Sequence, residues 1–191
     1  MSKVMTLFIK NMVYSNFMKF ISNKLRTILF IMFVSFSSGL NAEELQNIKN
    51  EHEINFFSGM FDFSDDGKRS TIFGFQHQNE NLFRNSFLGT FSPVTGAMIT
   101  ADNASYLYTG VQAQYKIGKI DITPSFAPGL YNKGDGKDLG HVIEFKSEVQ
   151  LSLNVFENSQ LGLSYNHISN ASLGDKNPGA NSYMFNFLQK F

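Results

Sequence analysis

His167 and Ser169 lie two residues apart at the end of an alternating run, Leu161-Gly-Leu-Ser-Tyr-Asn-His-Ile-Ser169. Residues two apart in a β-strand project from the same face. An imidazole beside a hydroxyl is a base beside a nucleophile, the pairing that acyl transfer uses. A second alternating run, 181–191, follows a loop and ends the chain on aromatic residues. A hairpin between the two runs brings Asn181 within cross-strand reach of His167. The loop carries Asn177-Pro-Gly179, which reads equally well as a turn. The four histidines, His52, His77, His141 and His167, are scattered and lack metal-ligand spacing. Asp62, Asp65 and Asp66 beside Gly67 lack the spacing of a calcium loop. The chemistry to expect from these residues is that of a nucleophile–base pair rather than a metal centre.

The elements that must hold these residues are strands. Period-two runs occur at about 54–63, 70–79, 87–100, 105–116, 119–130, 140–155, 160–169 and 181–191. Val142–Val155 is the clearest. Ile143, Phe145, Val149, Leu151, Leu153 and Val155 share one face, and Glu144, Lys146, Glu148, Gln150, Ser152 and Asn154 share the other. A tilted membrane-crossing strand needs about nine to eleven residues. Eight such runs, joined by alternating short and long connections, predict an all-β fold: an eight-stranded antiparallel transmembrane β-barrel. A soluble barrel with its apolar face inward is the rival. The mixed charges of Glu144, Lys146 and Glu148, able to pair across a narrow lumen, favour the membrane form.

In that form the apolar face meets lipid. Leu161, Leu163 and Tyr165 lie on it, and His167 and Ser169 continue it. The pair is then expected to face outward near the extracellular rim, with Asn181 beside it. Polar residues on such a face are expensive, and function is the usual reason for them.

Ile28–Phe36 forms a short apolar core, preceded by Lys19, Lys24 and Arg26 and followed by Ser37-Ser-Gly-Leu-Asn-Ala42. This pattern predicts a cleavable signal peptide over 1–42 and a mature barrel domain over 43–191. The apolar core falls short of the roughly twenty residues a membrane helix needs. With 16 basic and 16 acidic residues the formal charge is zero, and nothing argues for a nucleic-acid partner. The absence of cysteine excludes disulfides and thiolate chemistry.

His167-x-Ser169-Asn170-Ala171, then Asn177 and Gly179, then Ser182-Tyr183 resemble the PagL-type lipid A 3-O-deacylases, outer-membrane barrels that cleave an ester-linked acyl chain from lipid A. Leu139-Gly140 with Phe145 resembles a further block of that family. The resemblance implies Ser169 as nucleophile, His167 as general base and Asn177 as an oxyanion donor. It implies lipopolysaccharide as substrate, the bacterial outer membrane as location and no cofactor. It leaves a homodimer open. Asn181 stands where the family has an acidic residue. An amide can orient a histidine, and Asp175 could substitute if its loop folds back. The alternative is a catalytically inactive barrel with a structural or lipid-binding role.

Overall fold

The structure, a computed structural model, describes residues 52–191 apart from 66, 80–83 and 87–88, and the side chains of 80–90 are likewise left undescribed. The proposed leader 1–42 and Asp66 lie outside the described residues. The described chain forms β1 (His52–Phe61), β2 (Ser70–Asn79), β3 (Arg84–Ser86), β4 (Gly89–Thr100), β5 (Ser105–Ala113), β6 (Tyr115–Ile117), β7 (Ile120–Asn132), β8 (Ile143–Phe156), β9 (Ser159–Ser169) and β10 (Ala180–Lys190).

All pairings are antiparallel, and they close a ring. β10 pairs with β1, β1 with β2, and β2 with β4. From β4 the ladder continues through β5, β7, β8 and β9 back to β10. The closed wall has eight staves. Closure matters because a membrane interior offers no water to satisfy an open strand edge.

Two short strands depart from the simple pattern. The run at 87–100 is preceded by β3, which folds back so that Ser86 pairs with Gly89. The run at 105–116 is interrupted between β5 and β6. Both pieces keep the same register on β7, with Gln112 opposite Ser125 and Tyr115 opposite Ile122. Ala113 and Gln114, left without partners on this side, fall opposite Pro124 and Thr123, and a second gap, at Thr109 and Gly110, falls opposite Pro128 and Ala127. Proline has no N–H to give to a ladder.

Burial separates the two barrel types. Asn55, Gln76, Gln112, Glu144, Lys146, Glu148, Gln150, Asn166 and Asn186 are buried, while Phe73, Leu151, Leu161, Leu163, Phe185 and Phe187 are exposed. Polar groups face the lumen and apolar groups face outward, the reverse of a soluble barrel. The lumen is a hydrogen-bonded network. Asn55 Nδ2 donates to Gln150 Oε1 and to Asn186 Oδ1, both at 3.0 Å. Tyr108 Oη donates to Gln76 Oε1 at 3.1 Å, and Lys146 Nζ lies 3.4 Å from Glu148 Oε1. Lys146 and Glu148 thus pair, and Glu144 is buried at the start of β8, next to the 133–142 connection in the chain.

The short connections, 118–119 and 157–158, occupy one rim. The longer ones, 62–69, 133–142 and 170–179, meet at the other. There Lys137 pairs with Asp62. Lys176 Nζ lies 3.0 Å from Asp138, and Asn170 Nδ2 donates at 2.8 Å to the carbonyls of Leu139 and Lys176. Three loops are tied into one rim structure.

Candidate active site

β9 and β10 place His167 directly opposite Asn181 in register. Nδ1 of His167 lies 2.8 Å from Oδ1 of Asn181. A carbonyl oxygen only accepts, so this contact is made by an imidazole that donates from Nδ1, the tautomer in which a neutral ring has its lone pair on Nε2. Both side chains are on the outward face, where Tyr165 and Tyr183 are exposed beside them.

Asn181 is held from several directions. Tyr165 Oη donates to its Oδ1 at 2.8 Å. Its Nδ2 donates to Ser64 Oγ at 3.2 Å. Its backbone N–H donates to Asp62 Oδ1 at 3.3 Å, and its carbonyl accepts from Phe63 N at 3.0 Å. The 62–64 segment therefore clamps both the backbone and the side chain of Asn181. The Phe63 ring packs against Tyr183 and Tyr165, with centroids 5.5 and 6.3 Å away.

The edge of His167 that carries Nε2 faces Gly179. A Cβ built on Gly179 would stand 2.8 Å from His167 Cε1 and 3.3 Å from Nε2, and Gly179 has φ of +63°. Only glycine suits both the left-handed backbone and the contact.

Ser169 ends β9 on the same face as His167 and is partly exposed. Its hydroxyl makes no hydrogen bond among the described residues. The chain then turns sharply. Ala171 and Ser172 have positive φ, and Ser172 N donates to Asn170 Oδ1 at 2.9 Å. Asn177 folds back so that its Oδ1 accepts from Asn170 N at 3.1 Å. With that oxygen occupied by the residue after Ser169, the Asn177 Nδ2 is the group left to donate elsewhere. Gly140 permits the approach of the neighbouring loop, since a Cβ there would collide with the Lys176 carbonyl oxygen.

Asp175 stays exposed, and the Nδ1 edge of His167 is occupied by Asn181 rather than by this carboxylate. Glu144 faces the lumen, as its parity requires. Among the described residues no cluster of three histidines or carboxylates is placed to hold a metal.

The family model described as lipid A 3-O-deacylase (PagL) matches residues 68–188. The chain belongs to the PagL family. The crystal structure of the outer membrane enzyme PagL is similar to it with a TM-score of 0.54 at 16% identity, covering 72% of this chain and 98% of that one. A designed transmembrane β-barrel matches with a TM-score of 0.50 at 10% identity, covering 77% of this chain and all of the design. No curated protein matches the chain. The family and the barrel together make this a lipid A deacylase-type barrel of the bacterial outer membrane.

Against this PagL-family framework, sequence reasoning missed the two residues that, besides His167, hydrogen-bond the Asn181 side chain. Tyr165 carried a usable signal, because it shares the face of His167 two residues upstream. Ser64 carried none. It sits in a polar loop, and only closure of β1 onto β10 brings it to Asn181.

Proposed function

We propose that the protein is an outer-membrane esterase that removes the 3-O-linked acyl chain of lipid A through Ser169, His167, Asn181 and Asn177. The observation that carries this reading is the 2.8 Å contact between His167 Nδ1 and Asn181 Oδ1, which leaves Nε2 able to accept a proton on the face that Ser169 shares.

In the reaction Ser169 Oγ attacks the ester carbonyl of the acyl chain while His167 Nε2 takes its proton. The negative charge that develops on the carbonyl oxygen is met by Nδ2 of Asn177, whose orientation is set by the Asn170 N–H. Collapse of the tetrahedral species breaks the bond to the sugar oxygen, and His167 returns the proton to that leaving alkoxide. Water, deprotonated by His167, then attacks the acyl-enzyme and frees the fatty acid and Ser169. Asn181 holds the imidazole in the tautomer the first step needs. Being neutral, it stabilises the imidazolium less than a carboxylate does. The outward position of the pair suits a substrate that is itself a membrane lipid. The leader 1–42 would carry the chain across the inner membrane to that location.

The test is to incubate purified parent, Ser169→Ala and His167→Ala proteins with lipopolysaccharide and weigh the lipid A. The parent removes one hydroxyacyl group, and neither variant does so at a comparable rate. A parent protein that leaves lipid A unchanged would instead favour the non-catalytic barrel, with Asn181 marking a lost acid.

A further inference from the structure

We propose that Ser64, backed by the buried carboxylate of Asp62, is a positioning residue that decides which nitrogen of His167 carries the proton. This rests on the esterase reading for its consequence, though not for its geometry.

An asparagine side chain presents an acceptor on one side and a donor on the other, and the two are nearly equal in shape. With Oδ1 toward His167, the ring must hold its proton on Nδ1, and Nε2 is a base. With the amide reversed, Nδ2 faces the ring, Nδ1 must accept, and Nε2 carries the proton. The reversed state cannot deprotonate Ser169. A carboxylate in this place has no such ambiguity, so an amide needs something to choose its direction.

Ser64 supplies that choice. Asn181 Nδ2 lies 3.2 Å from Ser64 Oγ, and Ser64 Oγ lies 3.4 Å from Asp62 Oδ1. A carboxylate only accepts, so the Ser64 proton turns to Asp62 and the Ser64 oxygen is left to accept. The group opposite it must then be the NH2 of Asn181. Asp62 is fully buried and is anchored by Lys137 and by the Asn181 N–H, so its position is fixed. Hydrogen bonds to a charged partner are stronger than those between neutral groups, which favours this direction over the reverse. Tyr165 adds to it by donating to Oδ1 at 2.8 Å. A charge on the β1–β2 loop therefore sets the proton on a β9 imidazole through two neutral side chains.

The experiment reads the tautomer directly. Long-range 15N–1H spectra of His167 are recorded in micelles at mildly alkaline pH for the parent, Ser64→Ala and Ser64→Thr proteins, and kcat and KM are measured on lipopolysaccharide. The expected result is an Nδ1–H tautomer in the parent, a mixture in Ser64→Ala with kcat down about tenfold and KM unchanged, and recovery of both in Ser64→Thr. A parent spectrum showing Nε2–H overturns the proposal. So does a Ser64→Ala spectrum identical to the parent, even if kcat falls. If Ser64→Ala shifts the tautomer while Ser169→Ala stays active, the nucleophile assignment fails and the positioning role stands. The spectra need no activity, so the two failures are distinguishable.

Discussion

Gly179 stands against the His167 imidazole so closely that a single added carbon would lie 2.8 Å from Cε1. The residue is therefore part of the wall that sets the ring angle. Gly179→Ala is expected to cost about 1–2 kcal/mol from the left-handed backbone alone. It is also expected to rotate the imidazole and lower kcat by about a hundredfold, the scale of a misplacement of about 1 Å. Unfolding curves in detergent and kinetics on lipopolysaccharide separate the two effects. An unchanged kcat would remove Gly179 from the site.

Asn181 offers a substitution in each direction. Asn181→Ala deletes the acceptor for His167 Nδ1 and is expected to lower kcat by about 10²–10⁴-fold with KM little changed. Asn181→Asp keeps the shape and adds the charge that stabilises an imidazolium. It is expected to raise kcat, by up to the roughly 10⁴-fold that the reverse exchange costs a serine protease. A fall in kcat for Asn181→Asp would mean that the surroundings, with Asp62 nearby, are adapted to the amide.

Asn177→Ala removes the proposed oxyanion donor and is expected to lower kcat by about 10²–10³-fold. The same change frees Asn170 N, so loop order must be checked by the spectrum of the 170–179 segment. An active Asn177→Ala protein would move the oxyanion role elsewhere.

The loop rim has its own pH signature. Lys176 Nζ, hydrogen-bonded to Asp138, holds the Asp138 carboxyl below its ordinary value, with help from the Gly140 N–H. A carboxyl whose folded value is depressed contributes stability above its unfolded value and loses it as pH falls through the folded one. Lys176→Met should move the Asp138 titration upward, toward the ordinary carboxylate range, in a carboxyl-detected titration. No shift would mean that the two loops are not joined by this pair in solution.

Much of the architecture was legible because a membrane barrel writes its two environments into alternate residues. In β8 the sequence Glu144, Lys146, Glu148, Gln150 runs along one parity and Phe145, Val149, Leu151 along the other, and burial follows it residue by residue. The interruption at Gln114 was not legible from the 105–116 run, since that run does not show that Pro124, which has no N–H, comes to lie on the facing strand beside it. The site divides the same way. The His167–Asn181 contact follows from hairpin register, a local property. Ser64 depends on the ring closing between the first and last strands, which no local pattern encodes. The hold of Asn170 on Asn177 depends on left-handed residues at Ala171 and Ser172, types that give little warning of that conformation.

The lumenal pair supplies a stability test independent of the site. Lys146 is buried, 3.4 Å from Glu148 and 4.0 Å above the Tyr108 ring centroid. Lys146→Met leaves Glu148 buried and uncompensated and is expected to cost about 3–5 kcal/mol. Adding Glu148→Gln should recover most of that loss. Denaturant unfolding in lipid vesicles measures both.

Tyr106, Tyr108, Phe61, Lys146 and Met184 are all almost wholly buried within the ring of strands. An eight-stranded wall is just wide enough for its own side chains to fill. A cell could therefore carry many copies in its outer envelope without becoming permeable to ions or small drugs. In a planar bilayer the protein should carry no current, and its traffic with the envelope would be confined to its outer circumference.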